Sequence, residues 1–574
     1  MELKRILGWF LVGLGLIAHV QEVQAQSSLQ VIDLELKHQP SLVATTPWQG
    51  RTVIMVMVPD AGKKQTLRLV GLQGKALQEL VRFPLPDDIR WLEPLAMGKG
   101  KSGWLALVGA TWMVGTGEKT LQWHPLCDCP TLFSIGEHRL PSQAGFANDL
   151  DGDGRSEILL PDWNGLNVYS LDFSSGGGAK LQPVIRIHWK ISEHYESRED
   201  KISVTLNLPR YQLKDANRDG VLDFVSLSDS GISVAMLPKP VPASRGPYYA
   251  IFPGRLSALR QAGLPAPVIA GLRSLGAQSF SGSAALLSAL EKAMGAKGKN
   301  QLTGARVATL LQLLKEHTPV SFPQFAGVDQ ARIDNRKESH KVHTVAEMNG
   351  DGVLDLIHLK STDTGGLLGQ KNHLRWIPGR VEKGQLSFKG QSPQVLFSEG
   401  PVFAELIYPA TDPKAPPAVF LATTEVNLLA VVRAFTLSTV VLNLFVYPFE
   451  DGKLVKPPPV QGDLTFELKK KDKKNRPMIL LADLDGDGWR EYLFNMETDS
   501  LTAFRGSPTG PNLRGNPMAS RQVALPGRPR TIFVNDLDGD GREELTLWFN
   551  RQENPEALLR TLRVVRYQPG AAQP

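Results

Sequence analysis

One nine-residue pattern, met five times, limits what this chain can fold into. It reads DLDGDGRSE over Asp149–Glu157, DANRDGVLD over Asp215–Asp223 and EMNGDGVLD over Glu347–Asp355. It returns as DLDGDGWRE over Asp483–Glu491 and DLDGDGREE over Asp536–Glu544. Each copy has an acid first, Asp or Asn third, Asp fifth, Gly sixth and an acid ninth. Self-similarity of this kind marks a fold assembled from one recurring supersecondary unit.

The spacing suits calcium, a hard cation that takes six to eight oxygens at about 2.3–2.6 Å. Oxygens at positions 1, 3 and 5 converge when the chain curls tightly. Glycine at position 6 allows the sharp turn because it reaches positive φ without strain. A backbone carbonyl near position 7 extends the ring, and the acid at position 9 closes the cage. The candidate ligands are Asp149, Asp151, Asp153 and Glu157 in the first loop, and Asp215, Asn217, Asp219 and Asp223 in the second. The third supplies Glu347, Asn349, Asp351 and Asp355. The fourth supplies Asp483, Asp485, Asp487 and Glu491, and the fifth Asp536, Asp538, Asp540 and Glu544. Up to five Ca²⁺ sites follow. An EF-hand is excluded, since it needs a bidentate Glu at position 12 between two helices. Position 12 here is Leu160, Ser226, His358, Phe494 or Leu547.

Apolar runs follow the loops and read as strand, turn, strand. Ile158–Leu160 leads to Val168–Leu171, Phe224–Leu227 to Ile232–Leu237, and Tyr492–Phe494 to Leu501–Phe504. Hairpins repeated at intervals are the signature of a β-propeller. Loop starts lie 66, 132, 136 and 53 residues apart, so the doubled gaps hide units without a metal loop. Ala418–Thr423 with Leu428–Val432, Trp104–Val108 with Trp112–Val114, and Thr52–Val58 with Thr66–Val70 look like three such units. The expected fold is all-β, a seven- or eight-bladed propeller with a helical insertion. The insertion is placed at 254–317, where Leu286, Leu287, Leu290 and Met294, then Val307, Leu310, Leu311 and Leu314, recur at helical spacing. Blades occupy 26–253 and 318–574.

Residues 1–25 read as a signal peptide: Lys4 and Arg5, an apolar run Ile6–Ala18, then Val23-Gln24-Ala25. The expected destination is outside the cytoplasm, periplasmic or extracellular. Val426–Tyr447 is apolar but contains Arg433, so no transmembrane span is expected in the mature chain.

With five loops and trailing hairpins, the chain resembles the VCBS/FG-GAP repeat family, as in integrin α-subunit propellers and many secreted bacterial proteins. The likeness extends over roughly residues 40–570. It implies structural calcium and binding of proteins or glycans.

Catalytic signatures are scarce. There is no H-E-x-x-H, G-x-S-x-G or Walker A loop, and no catalytic residue is assigned. His340 and His343 have an odd separation and would face opposite sides of a strand. His124, Cys127 and Cys129 leave a strained disulfide, a soft-metal site and inert thiols all open.

Charge adds a partner class. Eighteen of the 58 acids occupy the patterned loop positions, leaving 40 acids against 64 Lys and Arg. The densest basic run is Lys469–Arg476. A basic exported surface suits a protein or an anionic glycan. Nucleic acid is not expected. The leading expectation is a secreted calcium-binding propeller acting as a macromolecule-binding module, adhesive or interacting. A propeller enzyme acting on a polysaccharide or similar polymer and an envelope assembly scaffold are the alternatives.

Overall fold

A computed structural model describes residues 28–569 apart from short internal stretches, the longest being 129–144, 238–246, 328–337, 408–416, 424–435 and 468–477. The expected signal peptide, Cys129, Leu428–Val432 and Lys469–Arg476 lie outside the described residues.

The chain is all-β in a propeller arrangement, built from antiparallel meanders. Sheet I contains Leu42–Trp48, Arg51–Pro59, Gln65–Gln73 and Ala76–Pro84. Sheet II contains Ile89–Ala96, Ser102–Val108, Thr111–Thr116 and Gln122–Asp128. Sheet III contains Ala147–Asn148, Glu157–Asp162, Gly165–Asp172 and Lys180–His188, with Val320–Ser321 added in parallel. Sheet IV contains Tyr211–Lys214, Asp223–Ser228, Gly231–Ala235 and Gln324–Gly327. Sheet V is short: Tyr248–Ile251, Gln278–Ser281 and Lys315–Glu316. Sheet VI contains Glu338–Ala346, Asp355–Asp363, Gln370–Ile377 and Gln394–Ser398. Sheet VII contains Val402–Ile407, Ala418–Thr423, Thr439–Tyr447 and Val460–Glu467. Sheet VIII contains Ile479–Ala482, Glu491–Phe494, Ser500–Phe504 and Ala519–Gln522. Sheet IX contains Ile532–Asn535, Glu544–Trp548 and Thr561–Gln568, completed by Ser28–Glu35 from the other end of the chain.

Among the described residues nine sheets thus have three or more strands, and the expected seven or eight are corrected to nine; eight of them share cores around the ring, and the ninth, sheet V, packs with the insertion. The additional one, sheet V, sits where helices alone were expected. Its strand Gln278–Ser281 reads QSFS, too short and polar to announce itself as a strand.

Alternation within the strands holds the ring together. In Arg51–Pro59, Ile54, Val56 and Val58 face sheet IX, whereas Val53 and Met55 face sheet II. Each pair I–II, II–III, III–IV and IV–VI shares one apolar cluster in this way. So does each pair VI–VII, VII–VIII, VIII–IX and IX–I. Strands buried on both faces carry continuous apolar runs. That is why Glu491–Phe494 and Glu544–Trp548 are buried at every position.

Four helices, Leu256–Gln261, Ala266–Leu275, Ser283–Met294 and Gly304–Leu314, accompany sheet V. Leu286, Leu290, Leu310 and Leu314 pack with Leu259, Val268, Leu272, Tyr249 and Ile251 in a core of their own. The insertion therefore buries its amphipathic faces on itself. Its core recruits residues ahead of 254, the boundary expected from helical spacing.

In a four-stranded antiparallel meander, the first and third connections lie at the same end. All five acidic loops are first connections, and the insertion is the third connection of sheet IV. Loops and insertion share one face of the ring.

Candidate metal centres

Each loop is wound by its own carboxylates. In the first, Asp149 accepts the Gly152 and Gly154 amides at 2.8 and 2.9 Å. Asp536 does the same for Gly539 and Gly541 at 2.7 and 3.0 Å. Asp483 receives Gly486 and Gly488 at 2.8 and 3.0 Å. Position 4 as well as position 6 takes positive φ, for example 75° at Gly152 and 83° at Gly154. Glycine fills position 4 in four copies, a signal the sequence offered. In the second copy Arg218 adopts φ 64° there, a conformation that costs a non-glycine residue about 1 kcal/mol.

Three loops draw carboxylates together. Asp149, Asp151 and Glu157 each place an oxygen within 4.8 Å of the others; so do Asp483, Asp485 and Glu491, and Asp536, Asp538 and Asp540. An ion about 2.3–2.6 Å from every ligand requires oxygens no farther apart than roughly 5 Å, so this all-oxygen donor set fits a hard cation. Asp153, Asp487 and Glu544 stand outside those trios.

The second and third loops are arranged differently, and no such trio occurs in them among the described residues. The Asn217 Nδ2 amide donates to Asp219 Oδ2 at 3.1 Å, and Asn349 Nδ2 donates to Asp351 Oδ2 at 3.1 Å. An amide thus links positions 3 and 5, where the other three loops have two carboxylates. Asp215 remains in the winding role, accepting Asp219 and Gly220 amides, and Glu347 accepts the Asn349 amide.

Position 9 has a second role that spacing alone did not indicate. Asp223 accepts the Ala216 amide at 3.0 Å on one oxygen and the Leu237 amide at 2.7 Å on the other. Asp355 accepts Met348 at 3.2 Å and Gly379 at 2.9 Å. Glu491 accepts Leu484 at 2.7 Å and Gly506 at 3.3 Å. The acid pins the chain leaving the third strand back onto the loop. Glu157 and Glu544 accept only the loop amide of this arrangement, from Leu150 and Leu537, on one oxygen. Burial pushes these acids up from their ordinary values, to about 7 for Glu157, Asp355, Glu491 and Glu544 and about 6 for Asp223.

Arginines that the motif does not contain stand beside two trios. Arg505 meets Asp485 at 2.9 Å, and Arg566 meets Asp538 at 3.3 Å and Asp540 at 3.4 Å. Position 8 was also missed. Ser156 donates its amide to Ala96 O at 2.9 Å and accepts the Ala96 amide on Oγ at 3.0 Å. Glu543 makes the same two-way contact with Asp483. These residues clasp the first and fifth loops to the preceding sheet.

Outside the loops, Glu93 on the first strand of sheet II is buried. Both its oxygens receive the Phe146 amide, at 2.7 and 3.0 Å. Desolvation pushes it up from 4.5 to about 8, and its charge is felt at Tyr211. Cys127 pairs with Trp112 in sheet II, and His124 Nε2 lies 3.3 Å from Thr116 Oγ1. His343 falls at an irregularity between Val342 and Thr344, which breaks the simple alternation expected for His340 and His343.

Among the described residues no helix is long and apolar enough to cross a membrane. No protein-family model and no curated protein matches the chain. Among solved structures, the crystal structure of BBS1N in complex with ARL6DN, soaked with mercury, is similar over 94% of this chain and 95% of that chain. The identity is 8% and the TM-score 0.27, so the likeness assigns no activity or partner to this chain.

Proposed function

We propose that the chain is an exported propeller stabilised by Ca²⁺ that binds another macromolecule, a protein or an anionic glycan. The reading rests above all on the three carboxylate trios, each in a first connection at one end of the ring. Repulsion among those carboxylates opposes folding, and an ion that binds only the folded state offsets it. The second and third loops, with three carboxylates and an amide bridge each, are the weaker candidates for the remaining ions. The net charge of +6 becomes more positive with every ion bound, which favours an anionic partner.

Chelation is the test. Thermal melting in EGTA should occur well below melting in millimolar calcium, with recovery when calcium is restored. Coincident curves would remove the metal from the reading. Capture of binding partners by the calcium-loaded chain, repeated in EGTA, tests the second half.

A further inference from the structure

Two of the trios are joined by one side chain. Glu543 occupies position 8 of the fifth loop, between Asp540 and the strand Glu544–Trp548. Its amide donates to Asp483 O at 2.7 Å, and its Oε2 accepts the Asp483 amide at 2.8 Å. Its other oxygen receives Arg490 Nη2 at 3.2 Å. Asp483 opens the fourth loop and belongs to its trio; Arg490 sits near the loop's far end. The backbones are equally close: a Cβ on Gly486 would lie 3.2 Å from Gly541 O. Glu543 therefore holds the first ligand residue of one loop through the backbone of the other. By contrast, the first two loops share a single bond, from the Leu222 amide to Leu150 O at 2.8 Å, and leucine brings no side-chain acceptor.

We propose that the loops beginning at Asp483 and Asp536 take up their cations as a coupled pair, with Glu543 as the coupling residue. The inference rests on the calcium reading above. Filling the fifth loop fixes Asp536, Asp538 and Asp540, and with them the backbone that carries Glu543. The fixed clasp then orders Asp483 before the fourth loop meets its ion. Ordering is done once for two ions, and linkage makes the effect reciprocal.

Terbium(III) reads the fourth loop directly, because Trp489 lies at its position 7 and can sensitise the lanthanide. The signal is the emission of the full-length chain that Trp489→Phe removes. Asp538→Asn disables the fifth loop with little change of shape. In the parent it should raise the terbium midpoint of the fourth loop about fivefold, the lower end of usual coupling. In a Glu543→Ala background the same change should shift nothing, and Glu543→Ala alone should raise the midpoint by a similar factor. Equal shifts in both backgrounds, or none in either, overturn the coupling while leaving the calcium reading intact. Absence of terbium uptake and of calcium-dependent melting in the parent overturns both. Circular dichroism of each variant confirms that the comparison is made on folded chains.

Discussion

Single residues carry tests that separate metal binding from fold maintenance. Asp355 and Asp351 belong to the same loop, yet Asp355 is fully buried and holds two amides. Asp355→Ala leaves both amides without acceptors and should cost about 2–4 kcal/mol. That loss should persist in EGTA. Asp351→Ala should cost less, and its cost should shrink when calcium is removed. Denaturant unfolding of both variants, with and without chelator, checks the pair. Glu93 offers a pH test. Its pKa of about 8 in the folded chain exceeds the ordinary 4.5, so between those values the folded state holds a proton that the unfolded state has released. Its contribution is complete below about pH 4.5 and is lost as pH rises through 8, a change of order several kcal/mol. Glu93→Gln cannot ionise, so its melting temperature relative to the parent should climb from pH 5 to pH 8. A constant difference would place Glu93 in a more solvated setting.

At the scale of the loop and strand, most of the construction was legible in the sequence. Ile158–Leu160 and Val168–Leu171 fall inside Glu157–Asp162 and Gly165–Asp172 because apolar alternation and a turn coincide there. The units without metal loops at Thr52–Val58 and Trp104–Val108 were visible for the same reason. Ala418–Thr423 is a strand and pairs with Thr439–Tyr447, while the expected partner run Leu428–Val432 lies outside the described residues. Composition cannot choose between two apolar segments when the connection is long. The clasp at position 8 was hidden for another reason: its partner lies 60 residues away in the preceding sheet. Charge and geometry together predict an order of filling. The loops at Asp149, Asp483 and Asp536 combine four carboxylates at the patterned positions with a gathered trio, and charge count and rigidity set calcium affinity. They should fill before the loops at Asp215 and Glu347. In calorimetric titration, Asp151→Asn, Asp485→Asn and Asp538→Asn should each alter the tight phase, whereas Asp351→Asn should leave it unchanged.

On the scale of the whole molecule, the ring depends on a strand from its own beginning. Ser28–Glu35 pairs along its length with Thr561–Gln568, and Arg563 grips Asp33 at 2.7 Å. Leu29 and Ile32 from that strand enter the cores on the two sides of sheet IX. Deleting residues 28–35 removes those side chains, at roughly 1.5–3 kcal/mol each, and exposes a strand edge. The truncated chain should melt at lower temperature and self-associate, measured by scanning calorimetry and light scattering. A monomer with an unchanged melting point would show that closure contributes little.

The same closure has a consequence in time. Asp33 and Arg563 are 530 residues apart, so nothing made early in folding brings them together. Contacts so distant along the chain make folding slow. Among the described strands the other pairings span far less of the chain, the longest joining Lys180–His188 to Val320–Ser321, but the last latch waits for both ends. Until it shuts, Thr561–Gln568 presents an open edge of backbone donors and acceptors, the kind of surface on which chains add to one another. One strand short of finished, the chain carries an open edge that the closed ring hides.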